Sequence, residues 1–193
     1  MFYKELLSGV AIALTLIAFL PYIRSIINGA IKPHVFSWVI WGITTLIVFF
    51  AQLEDNGGVG AWPIGVSGSL TLFIALLAYI KRSEITVTKM DWLFFVLAML
   101  SLPFWYFTSD PLWAVVILTT VDVLGFGPTV RKAYNFPHSE SAFFYALFAV
   151  RNLIVVMALE NYSVTTVLFP AVIAAACMML MAMITYRRRV LAT

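Results

Sequence analysis

Charge is what this chain has least of. Of its 193 residues, 11% are Asp, Glu, Lys or Arg while 63% are apolar, and the mean hydropathy is +0.99. A soluble domain carries about 25% charged residues because its surface faces water, so a water-exposed globule is excluded. Cysteine is nearly absent too: Cys177 stands alone, which rules out an intrachain disulfide. Histidine is confined to His34 and His138. Neither has a second ligand at metal spacing, so no metal and no cofactor is expected. The alternating ten-residue segments of a membrane β-barrel are also missing. The head of the chain carries both Lys4 and Glu5 before a long apolar run and no small-residue cleavage site follows, unlike a signal peptide.

What the chain does have is long apolar runs. A hydrocarbon core of about 30 Å takes roughly 20 helical residues to cross. Seven runs of about that length fit, near 5–27, 34–53, 60–80, 91–108, 111–132, 141–159 and 163–186. The expected fold is therefore an all-α membrane protein of seven transmembrane helices embedded in the lipid bilayer.

The few charges follow a pattern. Arg24, Lys32, Lys81, Arg82, Lys89, Arg131, Lys132, Arg187, Arg188 and Arg189 all fall on one side of the expected spans. Lys4 with Glu5, Glu54, Asp55, Asp110 and Glu160 fall on the other, and Arg151 lies within a span. The positive-inside rule then places the N-terminus outside and the C-terminus in the cytoplasm. Trp62, Trp105 and Trp113 fall near the outer interface and Trp92 near the inner one, as aromatic belts require. The net charge of +3 is accounted for by topology and is no sign of nucleic-acid binding.

The chain also repeats itself. Pro21, Ile23, Arg24 and Asn28 recur 107 residues later as Pro128, Val130, Arg131 and Asn135, and Pro33-His34 recurs as Pro137-His138. The 107-residue offset returns at Pro63 and Pro170. The layout is a first triplet of spans (1–82), a single span (83–109) and a second triplet (110–193). One intervening span gives both triplets the same orientation, a parallel repeat about an axis along the membrane normal. Pro21 and Pro128 fall in the last turns of spans one and five, where a proline removes a backbone donor and bends the helix; both are candidate hinges. Proline is also simply more frequent in membrane helices, and that reading stands beside the first.

This three-plus-one-plus-three layout is similar to the SWEET sugar transporters and the wider PQ-loop superfamily. The motif that carries the likeness is a proline ending the first helix of each triplet, here Pro21-Tyr22 and Pro128-Thr129, then a basic loop (Arg24, Lys32, Arg131, Lys132) and a helix start reading FSWVIWG with Ser37, Trp38 and Trp41. Ser139 or Ser141 stands in the second copy. Both glutamines of the Pro-Gln pair are replaced, and the pocket asparagines of the sugar transporters have no counterpart; span three offers Ser67, Ser69 and Thr71, and span seven Cys177. The resemblance implies two parallel three-helix bundles joined by a linker helix, and transport by rocking of one bundle against the other. It does not imply sugar as the cargo.

Two ionisable groups lie deep in the apolar runs, Asp122 and Arg151. Helical rise puts them at similar depth on consecutive antiparallel spans, roughly 14 and 17 Å in. An isolated charge there costs at least several kcal/mol, so partners are expected, and the simplest arrangement pairs the two with each other. Such a bridge is either a structural clamp or a binding site, in which Arg151 takes an anionic group of the solute and Asp122 is its counter-charge or a proton carrier. Asn152 adds an amide next to Arg151 but points about 100° away around the helix. By the repeat, Thr15 stands opposite Asp122 and Ile47 opposite Arg151, so the charged pair belongs to the second copy alone. Trp38 and Trp41 share a face of span two and either stack on a solute or anchor at the interface. His34 and His138 open spans two and six.

The expected function is a transporter or facilitator of a small polar solute, anionic or zwitterionic, working by alternating access. An enzyme is not expected: beyond His34 at the rim of span two the spans hold no histidine, and they hold no paired acids and no Gly-x-Ser-x-Gly pattern. A retinal protein is excluded, since span seven has no lysine. A receptor-like protein, or a non-transporting assembly or trafficking factor of the same fold, is the alternative. A homo-oligomer is compatible with all of these.

Overall fold

A computed structural model describes residues 2–29, 35–81, 89–135, 137–139 and 141–192. Within them the chain is all helical, with no strand. The α-helices are α1 (Phe2–Ile27), α2 (Val35–Glu54), α3 (Trp62–Ile80), α4 (Lys89–Thr108), α5 (Leu112–Asn135), α6 (Ala142–Ala158) and α7 (Val164–Ala192). Two short 3-10 turns join them, Gly58–Ala61 before α3 and Pro137–Ser139 before α6. One α-helix falls on each of the seven apolar runs. His138 does not open α6 as expected; it sits in the preceding 3-10 turn, and His34, Lys32, Pro33 and Arg82 lie outside the described residues.

Local chemistry sets the helix ends. Ser141 caps α6, its hydroxyl accepting from the Phe144 N–H at 3.2 Å. Ahead of α7, Thr166 N–H donates to Ser163 Oγ at 3.1 Å and Ser163 N–H donates to Thr166 Oγ1 at 3.0 Å, a reciprocal cap with Thr in the place usually held by Glu or Gln. Pro63 occupies the first turn of α3, where its missing donor costs nothing. Pro21 lies inside α1 and Pro128 within the span of α5, and both helices continue beyond them, to Ile27 and Asn135.

Four segments are long and apolar enough to cross a membrane: Phe2–Ile27, Val35–Glu54, Gly58–Ile80 and Val164–Leu191. Trp92–Thr108, Leu112–Gly127 and Ala142–Ala158 are shorter apolar helices. The outside of the bundle agrees with a lipid environment. Leu20, Leu76, Phe107 and Met179 are each more than half exposed, an apolar surface that a protein surrounded by water rarely shows.

Six helices close a ring. α1 packs on α3, α3 on α2, α2 on α5, α5 on α7, α7 on α6, and α6 returns to α1; α4 lies against α5 and α2. The α2–α3 contact is close because side chains are small where the helices meet. A Cβ on Gly42 would stand 2.5 Å from the Leu72 side chain, and one on Gly68 would stand 2.9 Å from Leu46, the small-residue device of helix packing in membranes. Two ends of the ring are distinct. One carries the C-termini of α1, α5 and α7 with Arg24 and Arg187 to Arg189, and is called the basic end. The other carries Lys4, Glu54, Asp55 and Glu160 and is called the acidic end.

Candidate solute-binding cavity

Within the ring lies a cavity of about 720 Å³, inside the range of small-molecule sites, about 300–1,000 Å³. Its lining comes from residues 17–25 of α1, 38–45 of α2, 67–71 of α3, 122–126 of α5, 143–152 of α6 and 169–177 of α7. Ser25 and Ser141 bring the lining to the basic end, while Ser67 of α3 and Phe169 of α7 lie within five residues of the helix starts at the acidic end.

Asp122, Arg151, Asn152, Trp38, Trp41 and Pro21 all line this one cavity. Of the candidate residues only Pro128 is absent from that set, its side chain lying outside the described ones. The expected bridge between Asp122 and Arg151 is not formed. Arg151 is instead held by three neutral groups: Nε donates to Thr15 Oγ1 at 3.0 Å, Nη1 to Asn152 Oδ1 at 3.0 Å, and Nη2 to the Pro63 carbonyl. Thr15 in turn donates to the Ala11 carbonyl at 2.8 Å, so its lone pairs are turned to the guanidinium. Asn152 Nδ2 donates to the Phe148 carbonyl at 2.8 Å, which fixes the amide oxygen on Arg151. One side chain of α6 is thereby tied to α1 and α3. Asp122 accepts from Thr44 Oγ1 of α2 at 3.3 Å. Both groups are buried, and among the described residues no ion pair reaches either.

The reason is helix order. The ring sets α5 against α2 and α7, and α6 against α1 and α7; α5 and α6 are consecutive in sequence, but α7 comes between them in the ring. The repeat held the clue, since Thr15 occupies in α1 the place of Asp122 in α5, and it is Thr15 that meets Arg151.

An aromatic wall flanks the charges. Tyr22 stacks on Trp38 with centroids 5.1 Å apart, Trp38 meets Trp41 edge to face at 5.8 Å, and Phe19 lies between Trp38 (6.4 Å) and Phe148 of α6 (5.8 Å). Phe144 continues the row at 4.6 Å from Phe148. Trp41 lies over Gly125, where a Cβ would come within 3.3 Å of its Nε1, one helical turn from Asp122. Both tryptophans are thus part of the wall.

Sequence reasoning missed the acidic end, where the two halves of the chain are stitched together. Lys4 Nζ donates to the Leu159 carbonyl at 2.5 Å, buried Gln52 donates to the Thr166 carbonyl at 2.7 Å, and Asn161 Nδ2 donates to the Asp55 carbonyl at 2.9 Å. The Ser163 hydroxyl donates to the Asp55 carboxylate, and Glu160 N–H donates to the Gly57 carbonyl at 3.1 Å. The backbones touch here: a Cβ on Gly60 would lie 2.5 Å from Leu159 N. Gly58, at φ +60°, has no room either, since its Cβ would meet the Glu160 side chain. The signal was present in the run of glycines at 57, 58 and 60, which marks a close approach of main chains.

No protein-family model, curated protein or solved structure matches the chain.

Proposed function

We propose that the chain is a multi-pass transporter or facilitator of a small polar solute, working by alternating access between two parallel three-helix repeats, α1 to α3 and α5 to α7, with α4 as the linker. In this reading all seven helices span the bilayer in a SWEET-like arrangement. The observation that carries it is the cavity: a small-molecule-sized space between the two repeats, holding two buried charges and an aromatic wall. The packing order supports it as well. Exchanging α1, α2 and α3 for α5, α6 and α7 turns each contact of the ring into another contact of the ring, as a two-fold repeat about the membrane normal would.

The cavity extends to the basic end, which the positive-inside rule assigns to the cytoplasm. Solute enters there, between the aromatic rows of α1 and α2 and those of α6. Passage to the other side requires the acidic-end hydrogen bonds to open and the aromatic rows to close, with Pro21 and Pro128 absorbing the change in helix shape. A ligand drives such a change only by binding the two states unequally, and Asp122 and Arg151, on helices of the same repeat but bonded to the other repeat, are placed to do so.

The test is uptake by proteoliposomes containing the purified protein, run separately with radiolabelled sugars, amino acids, carboxylates and vitamins. The expected outcome is saturable uptake of one class, reduced about tenfold in Trp38→Ala/Trp41→Ala, as loss of about 1–2 kcal/mol of ring contact would give. Uptake of no class, with no solute raising the thermal stability of the protein, sinks the transport reading and favours an assembly or trafficking role.

A further inference from the structure

Resting on the reading of the cavity as the solute site, we infer that its solute is a zwitterion with an apolar or aromatic body, its ammonium held by Asp122 and its carboxylate by Arg151. Hydrogen bonds and charge balance are separate requirements, and the cavity meets only the first. Arg151 donates to a hydroxyl, an amide oxygen and a backbone carbonyl; Asp122 accepts from a hydroxyl. Every partner is neutral, so an acid and a base line one cavity, neither with a counter-ion, in surroundings that disfavour bare charge. A guanidinium carries five N–H donors, and three are engaged. One remains on each of Nη1 and Nη2, and a guanidinium N–H is a strong donor to a carboxylate. The Asp122 carboxylate has lone pairs beyond the one taken by Thr44.

Each class of solute can be set against this arrangement. An anion would satisfy Arg151 and be repelled by Asp122, and a cation would do the reverse. A neutral sugar would leave both charges uncompensated. A zwitterion satisfies both and leaves the cavity with no net charge. The remaining wall selects the body. Trp41 of α2 lies over Gly125, one turn from Asp122, with Trp38 edge to face against it, and Phe19 of α1 meets Phe148 of α6. Their rings offer faces to an apolar side chain and attract an ammonium beside Asp122.

The test is a thermal-shift series on the purified full chain with phenylalanine, phenylethylamine (carboxylate removed), 3-phenylpropionate (ammonium removed) and glucose. Phenylalanine is expected to raise the melting temperature, with each single-charge analogue needing at least tenfold more for the same shift, because each leaves one buried charge unpaired. In Asp122→Asn the advantage of phenylalanine over 3-phenylpropionate is expected to fall to less than threefold. Equal shifts from phenylalanine and either analogue, or a shift from glucose alone, overturn the inference. So does no shift from phenylalanine and none from leucine. The wild-type series decides the matter even where Asp122→Asn does not fold. Uptake assays separate this from the transport reading: a phenylalanine shift without uptake sinks transport and leaves the zwitterion site standing. Glucose uptake that survives Asp122→Asn sinks the site and leaves transport standing.

Discussion

The two ends of the helix ring are held together by different forces. At the acidic end the halves are joined by directional bonds: Lys4 to Leu159, Gln52 to Thr166, Asn161 and Ser163 to Asp55, and Glu160 to Gly57. At the basic end the bonds seen among the described residues join elements of one half, Arg187 Nε donating to the Tyr134 carbonyl and Arg188 Nε to the Pro137 carbonyl, both at 3.0 Å. Among the described residues the halves also meet there ring against ring, Phe19 on Phe148. A hydrogen bond loses its strength within a fraction of an ångström and a poor angle, whereas aromatic pairs remain favourable over centroid separations of about 4.5–7 Å. The acidic end is therefore a latch with a closed position, and the basic end a sliding contact. Arg151 sits between them, fastened to α1 and α3 from α6.

That contrast can be broken at its centre. Arg151→Ala removes the bonds to Thr15, Asn152 and Pro63 and leaves buried polar atoms unpaired. The expected loss of stability is about 3–5 kcal/mol, from about 1–3 kcal/mol for each buried acceptor left without a donor, read as a large drop in melting temperature in detergent. A smaller effect is expected at the latch. Gly60→Ala forces a methyl against the Leu159 backbone, which cannot rotate away, at a cost of about 1–3 kcal/mol; a cysteine introduced at Ser8, whose hydroxyl donates to the Val59 carbonyl, should then react faster with a water-soluble maleimide. The smallest effect belongs to Asp55→Ala. It removes the acceptor of Ser163 but keeps the carbonyl that Asn161 uses, a loss of about 1 kcal/mol measurable by the same melting assay.

Hydropathy located each helix to within three residues, except that α7 runs six residues past its apolar run to Ala192, because an apolar run of spanning length leaves little choice of structure. The cavity residues were legible for a related reason. Asp122 and Arg151 stand out as charges where charge is costly, and Trp38 and Trp41 share a helical face. Their partners were not legible, since hydrogen bonding depends on which helices become neighbours. Sequence adjacency placed α5 beside α6, and the ring placed α1 and α2 there instead. Thr15, Thr44 and Gln52 look like ordinary residues of an apolar run until that order is known. The acidic end was hidden differently: its bonds use main-chain carbonyls of Asp55, Gly57 and Leu159, which no side-chain pattern reveals.

The claim that the latch must open for solute to pass is tested by locking it. In a Cys177→Ser background, Asp55→Cys and Ser163→Cys are joined by a bifunctional methanethiosulfonate reagent, and solute uptake by proteoliposomes is measured before linking, after linking, and after reduction. Uptake that stops on linking and returns on reduction is the predicted result. Uptake at the full rate with the two halves linked would contradict the account.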